Sequence, residues 1–162
     1  TSWVDWTESE VSDQMLAFAR RVIFLRADSP ALRQPEFFDG RTTPTGRPDL
    51  IWLRPDGQEF DEAAWVDDEC RTLGMWIDGS NSQSRTREGE LLTDHSWLLL
   101  MHAGDEPIDI TLPGAEFGST FEPTLDTTTP DGAPVSDERL PARAVVTLQA
   151  RSLLLLKAPR EQ

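Results

Sequence analysis

The sequence predicts a mainly β protein, in which an antiparallel β-sandwich follows one long α-helix. One observation is the supply of turn residues, because 12 Pro and 10 Gly are spread through the 162 residues, which favours β-structure over a helical bundle. Another is the hydrophobic pattern, with one helical stripe early in the chain and then about seven short apolar runs separated by turn signals. A chain of this length buries roughly 70% of its unfolded surface, which is enough for a core.

The predicted helix runs from about residue 8 to residue 27. Thr7 and Glu10 form a capping box, since Thr7 can accept a hydrogen bond from the Glu10 amide while Glu10 reaches back. Apolar residues follow at spacings of four and three, which is one face of a helix; they are Val11, Met15, Phe18, Val22 and Leu25. Pro30 ends the helix. The stripe is too broad for a lone surface helix, so we expect it to pack on a large surface, either the following domain or a preceding one.

A linker is predicted across residues 34–47, where Pro, Gly, Arg and Thr surround Phe37 and Phe38. Strand candidates then follow at residues 50–54, 74–78, 96–103, 108–112, 120–126, 144–148 and 152–157. After the first of them, Pro55-Asp56-Gly57 reads as a turn, because Pro fixes φ and Gly supplies a positive φ. About seven short strands in roughly 110 residues indicate a sandwich or a Greek-key barrel. Residues 81–89 and 127–138 are predicted to be unpaired and mobile.

The net charge and the cysteine content limit the classes of partner and the cellular compartment that we expect. The net charge of −14, from 29 acidic and 15 basic residues, repels phosphate backbones and anionic lipid, so we expect neither nucleic acid nor a membrane as partner. It fits a neutral ligand such as a sugar, although solubility explains the charge equally well. Cys70 is the only cysteine, which favours a reducing compartment. With no apolar run of 18 residues and no signal peptide, we expect a cytoplasmic location.

Metal and nucleophile chemistry find little support in the sequence. His95 and His102 are the only histidines and Cys70 has no CxxC partner, so we predict no metal site and no cofactor. We interpret His102 as a strand residue near the edge of the domain. Asp94, His95 and Ser96 would make a poor triad, because neighbouring residues of a strand point to opposite faces.

Carboxylates and tryptophans are the candidates for sugar chemistry. Acidic residues cluster at 61–62, 67–69 and 105–106, and we interpret these clusters as solvated surface rather than the facing pair that glycoside hydrolysis needs. Of the six tryptophans, those inside strand candidates are expected in the core; they are Trp52, Trp76 and Trp97. Trp3 and Trp6 are the candidate substrate-binding residues, since flat indole rings can stack on sugars. The favoured alternative for both is that they anchor the start of the helix.

Several blocks of sequence occur in an order that is typical of one enzyme family. They are SWVDWT at residues 2–7, LAFARRVI at 16–23 with Leu25-Arg26, FFDGR at 37–41, IWLRPDGQEF at 51–60 continuing through Trp65, and RTLGMWIDG at 71–79. In residue types and spacing they resemble glycogen debranching enzymes of the isoamylase type, in the α-amylase superfamily. The resemblance covers residues 2 to about 112, weakens across 115–140 and returns at residues 140–141 and 150–153.

The resemblance implies a division of the chain. Residues 1–33 would supply the last helix of a (β/α)8 barrel, residues 34–47 the linker, and residues 48–160 the C-terminal sandwich. The family's Asp nucleophile, Glu general acid and second Asp lie at the ends of barrel strands, all upstream of Thr1. We therefore assign no catalytic residue and expect this chain to be inactive alone. The complete enzyme is implied to hydrolyse α-1,6 branch linkages, so the expected partners are the missing barrel of the same polypeptide and glycogen.

Two other interpretations stay open. One is a free-standing carbohydrate-binding β-sandwich module. The other is a truncated product without a function, since the sequence opens on Thr1 rather than Met and places Trp3 near its start, as expected of a cut chain.

Overall fold

The computed structural model describes residues 3, 9–81, 87–90 and 92–159. Its helices are α1 (Glu10–Asp28) and α2 (Glu62–Trp65), with 3₁₀ turns at Pro30–Arg33 and Gly79–Asn81. Its strands are β1 (Leu50–Leu53), β2 (Thr72–Ile77), β3 (Ser96–His102), β4 (Ile108–Thr111), β5 (Thr120–Asp126), β6 (Leu140–Pro141), β7 (Val145–Leu148) and β8 (Ser152–Ala158). The mainly β fold with one long helix near the start is confirmed, and each of the predicted strands is present with similar bounds.

Helix α1 begins later than the sequence analysis predicts. Its N-cap is Ser9, whose side chain accepts from the Ser12 amide at 3.2 Å while the Ser12 hydroxyl accepts from the Ser9 amide at 2.9 Å. The reciprocal cap that we predicted at Thr7 and Glu10 is therefore made by two serines, each two residues further along the chain. Thr7 itself lies outside the described residues. The helix ends where Ser29 donates to the Leu25 carbonyl and Pro30 starts a 3₁₀ turn. Of the described helices, none has the length and apolar character needed to cross a membrane.

The strands form two antiparallel sheets. Six strands pair in the order β1-β2-β3-β8-β5-β6, and β4 pairs with β7. At Gly74 in β2, an added Cβ would lie 3.0 Å from the Leu53 Cβ of β1, so the absence of a side chain lets these strands approach closely. The pairing of β5 with β8 shifts by one residue between Pro123 and Leu125, which is a bulge.

Alternation along the strands sends side chains to two separate cores, one on each face of the six-stranded sheet. The larger core lies between the two sheets and includes Ile51, Leu53, Trp76, Leu98, Leu100, Ile110, Leu112, Phe121, Leu148 and Leu156. The smaller core lies on the opposite face, where Trp97, Ile77, Leu125 and Leu155 are covered by Ala31 and by Phe18 and Leu25 of α1. The molecule is therefore a sandwich of two sheets with α1 laid on its outer face.

The segment after β5 differs from its prediction. Thr127 donates its amide to the Leu153 carbonyl at 3.1 Å, Asp126 donates to Gly132 at 3.1 Å, and the Thr129 hydroxyl donates to Ala133 at 2.7 Å. The prediction that residues 127–138 are unpaired is thus wrong for the first half of the segment, because the threonines supply local side-chain hydrogen bonds that a pattern of apolar runs does not reveal. Much of the other predicted loop, residues 82–86, lies outside the described residues.

Candidate functional site

The two tryptophans proposed from the sequence as substrate-binding residues remain predictions. Trp3 is 92% exposed, so its ring is open to a ligand. Trp6 lies outside the described residues.

The acidic clusters face solvent and bond to backbone or to cations. Asp61 caps α2 by accepting from the Ala64 amide at 2.8 Å, and Asp67 accepts from the Glu69 amide at 3.0 Å. Asp105 pairs with Arg151 at 3.2 Å, both largely exposed. Carboxylates in these roles are exposed to solvent, whereas the general acid of a glycosidase is held in a buried, apolar pocket. The arrangement agrees with the interpretation of a solvated surface.

His102 lies in β3 and is buried, with both ring nitrogens engaged. Nδ1 is 2.8 Å from the Thr72 hydroxyl and Nε2 is 2.7 Å from the Glu106 carbonyl oxygen. Because a carbonyl can only accept, Nε2 carries the proton and Nδ1 of a neutral ring accepts from Thr72. Its partners tie β2, β3 and the following turn together. Within the part of the chain that the structure describes, no group of three or more His, Cys, Asp and Glu residues could hold a metal ion.

The residues of the dismissed triad have structural partners instead. Asp94 accepts from the Ala31 amide at 3.1 Å and from the Trp97 indole N–H at 3.2 Å. Ser96 accepts from the Gly79 amide at 3.1 Å. Asp94 thereby joins the segment after α1 to the smaller core, and no nucleophile–base contact is formed between Ser96 and His95 among the hydrogen bonds of the described residues.

A cleft of about 380 Å³ opens beside the end of β2, between the loops at residues 44–47 and 115–119. Its wall contains Asp78, which is 2% exposed and accepts from the Thr43 hydroxyl at 2.6 Å, the Thr45 hydroxyl at 2.5 Å and the Ser80 amide at 2.8 Å. Burial acts to raise the pKa of Asp78, but the hydrogen bonds from Thr43, Thr45 and Ser80 outweigh it and hold this pKa below its ordinary value. The buried carboxylate therefore anchors the segment before β1 and is not a proton donor.

Helix α1 carries apolar residues on two faces. Phe18 and Leu25 turn toward the sheet, whereas Ile23 lies five residues after Phe18, which at 100° per residue is about 140° around the helix. Three side chains on this opposite side are solvent-exposed, Leu16 at 47%, Ile23 at 68% and Phe24 at 67%; we call them the outer face of α1. A helix that is apolar on both sides is typical of one that lies between two packed bodies.

Three aromatic side chains form a group at the sheet edge, which we call the aromatic platform. They are Trp52 in β1, Phe60 in the loop before α2, and Trp65 in α2. The Trp65 ring centroid is 5.9 Å from that of Trp52, at 84°, and 4.7 Å from that of Phe60, at 45°. Trp65 remains 54% exposed. The sequence analysis placed Trp52 in the core and gave Trp65 no role; the capping Asp61 just before it was the signal of a short helix that would hold this ring at the surface.

Comparison with known proteins gives the following similarities. A family model described as the C-terminal domain of isoamylase matches residues 49–157. The glycogen operon protein GlgX homolog of Mycobacterium tuberculosis H37Rv is 30% identical over 158 residues, covering 96% of this chain and 22% of that protein. An isoamylase of Flavobacterium is 28% identical over 167 residues, covering 97% and 20%. A glycogen debranching enzyme of Yersinia pestis bv. Antiqua is 25% identical over 116 residues, covering 72% and 14%. The matched part of this chain thus spans between about a seventh and about a fifth of the length of these relatives.

Proposed function

Since the chain belongs to the isoamylase C-terminal domain family, we propose that it is the non-catalytic C-terminal domain of a glycogen debranching enzyme. The complete enzyme hydrolyses α-1,6-glucosidic branch linkages in glycogen, and the domain stabilises and flanks its catalytic barrel. The relatives named for glycogen and for isoamylase support the substrate class. In this proposal the protein is cytoplasmic and its macromolecular partners are glycogen and the barrel, not nucleic acid or a membrane.

The observation that carries the proposal is the outer face of α1. The sheet needs only Phe18 and Leu25 from this helix, yet Ile23 and Phe24 present two further large apolar side chains, each about two thirds exposed. Covering each by a second body contributes about 1–2 kcal/mol. A catalytic barrel of the same polypeptide, of which α1 is the last helix, is the body that the proposal places there.

The domain division follows from the same reasoning. Residues 1–33 contribute α1 to the barrel, residues 34–47 connect, and residues 48–160 form the sandwich. The connecting segment is tied to the sandwich through Asp49, which accepts from the Gly40 amide at 3.0 Å and the Asp39 amide at 3.3 Å, and through the Thr43 bond to Asp78. Such anchoring lets the sandwich hold the barrel helix in a fixed orientation.

The chain alone is expected to be inactive. Retaining glycosidases need two carboxyl groups about 5–5.5 Å apart across the bond that is cut, one of them with a raised pKa. The acidic residues of the described clusters are exposed and occupied in caps and ion pairs. Incubating the purified 162-residue protein with glycogen and measuring released reducing ends tests this expectation; turnover above the buffer control would refute the non-catalytic assignment.

The barrel contact is tested with a chimera. This chain replaces the corresponding segment of the Flavobacterium isoamylase. In this chimera the double variant Ile23→Lys with Phe24→Lys is compared with Val145→Lys, a control on β7 that is 62% exposed. We expect the double substitution to lower the melting temperature and the debranching rate of the chimera, while the isolated chain keeps its melting temperature because the two residues are exposed there. Equal behaviour of the two variants in the chimera would contradict the proposed contact.

A further inference from the structure

We propose that the aromatic platform of Trp52, Phe60 and Trp65 binds an α-glucan chain, with Trp65 as the stacking ring. The choice of ligand rests on the proposed function, which supplies the glucan. The choice of site rests on the geometry of the platform.

The platform holds Trp65 in a fixed position while leaving about half of it open. Trp52 contacts the ring nearly edge to face and Phe60 contacts it at a tilt, with centroid distances of 5.9 and 4.7 Å, within the range of favourable aromatic pairs. A ring that is already immobilised loses little conformational entropy when a ligand stacks on it, so such a site is pre-organised. A single exposed Trp is ordinary on a protein surface; one that is supported on two sides by other rings is better suited to binding.

The backbone around the platform is equally well fixed. The Phe60 amide donates to the Trp52 carbonyl at 2.9 Å, and the turn between them closes through Arg54 and Gln58 at 2.7 Å. Asp61 caps the helix that carries Trp65. These bonds attach the three rings to the edge of the six-stranded sheet, so the platform is built on a rigid element.

The polar groups beside the platform suit a neutral, hydroxyl-rich ligand. Arg54 contacts Asp61 at 3.2 Å and Asp56 at 2.6 Å, and Asp61 lies one helical turn before Trp65. Carboxylates accept hydrogen bonds from sugar hydroxyls, a guanidinium donates to them, and the C–H faces of a glucose unit stack on an indole. The net charge of −14 disfavours polyanions at the same surface and is compatible with an uncharged glucan.

The test is electrophoresis of the 162-residue protein in native gels that contain glycogen, together with titration of a linear α-1,4-glucan of seven glucose units followed by tryptophan fluorescence. One supported ring predicts weak binding, with a Kd of about 0.1–10 mM. We expect glycogen to retard the wild-type chain, Trp65→Ala to lose at least about tenfold in affinity, and Trp65→Phe to retain part of it. Phe37→Ala is the matched control, since Phe37 is 96% exposed and stands apart from the platform.

The outcomes separate this inference from the proposed function. Glucan binding at the platform is refuted if glycogen does not retard the wild-type chain. It is also refuted if the Trp65→Ala variant is folded and is retarded as strongly as wild type. Neither result affects the outcome of the chimera experiment. If Trp65→Ala lowers the melting temperature of the chimera and leaves glycogen retardation unchanged, the ring is covered by another part of the polypeptide, and the inference also fails. Loss of retardation in Phe37→Ala to the same extent would equally contradict the assignment to Trp65.

Discussion

Replacing Asp78 by Ala removes the most heavily bonded buried carboxylate described above. The change leaves the Thr43 hydroxyl, the Thr45 hydroxyl and the Ser80 amide without the acceptor that they now share. It also removes the side-chain link between the segment before β1 and the end of β2, while the backbone hydrogen bond from the Asp78 amide to the Asp49 carbonyl remains. We expect a folded but destabilised protein.

The magnitude follows from the three hydrogen bonds. Hydrogen bonds to a charged group contribute about 1.5–3 kcal/mol each. Two effects reduce the loss in the variant. The cost of burying the Asp78 charge disappears, and the hydroxyl groups of Thr43 and Thr45, which are 2.7 Å apart, can bond to each other. The net loss is about 2–4 kcal/mol, which for a chain of this size lowers the melting temperature by roughly 5–15 °C. Asp78→Asn keeps the shape and one acceptor, so it should lose about half as much.

Urea unfolding followed by tryptophan fluorescence measures the effect, with Asp105→Ala as the control. Asp105 is exposed, and its ion pair in the described part of the chain is with exposed Arg151, so its loss should change the free energy of unfolding by less than about 0.5 kcal/mol. Equal stabilities of the two variants would refute the assigned role of Asp78.

The pH dependence gives a second check on Asp78. Because the pKa of Asp78 is lowered in the folded state, its ionised form contributes stability that is fully present above the unfolded pKa of about 3.9. This stability is lost as the pH falls through the folded pKa. The difference between wild type and Asp78→Asn should therefore be constant near neutrality and narrow below about pH 4. A difference that grows on acidification would contradict the direction of the shift.

Three further substitutions test the packing. Leu98→Ala removes a fully buried side chain and should cost about 3–5 kcal/mol in urea unfolding; a cost below about 1 kcal/mol would show that the core collapses around the gap. Gly79→Ala places a Cβ 2.0 Å from the His95 carbonyl oxygen and should either prevent folding or lower the melting temperature by about 10 °C or more; an unchanged melting temperature would refute the close approach. Thr72→Val removes the partner of His102 Nδ1 and should cost about 1–2 kcal/mol; a gain in stability would rule out that bond.

The strands were predictable from the sequence because their signals are local. The turn at Pro55-Asp56-Gly57 forms as expected, with Gly57 at φ 75° and the Leu53–Glu59 bridge beside it. Strand β6 escaped prediction because two residues, Leu140 and Pro141, pair with β5 and show no alternation of their own. The order of the strands in the sheet could not be predicted from the sequence either, because it depends on contacts between residues far apart in the chain.

The candidate site was less predictable for a related reason. Asp78 is separated from Thr43 and Thr45 by more than thirty residues of sequence. No local sequence motif therefore predicts the hydrogen bonds between them. The breadth of the α1 stripe indicated that the helix packs on a large surface, either the following domain or a preceding one. Ile23 is not one of the five residues of the predicted stripe, and the structure places it, 68% exposed, on the side of the helix away from Phe18. The sequence pattern does not single out Trp65, because this residue lies outside every strand candidate.

The position of β8 in the middle of the six-stranded sheet governs when the domain can form. Among the strands of the described residues β8 comes last in sequence, yet it lies between β3 and β5 and pairs with both. While a ribosome is still making residues 152–158, β1–β3 and β5–β6 are two separate pieces, each with an open edge that can pair with other chains. The six-stranded sheet can therefore be completed only after β8 has left the ribosomal exit tunnel. We expect the nascent domain to depend on chaperones until then.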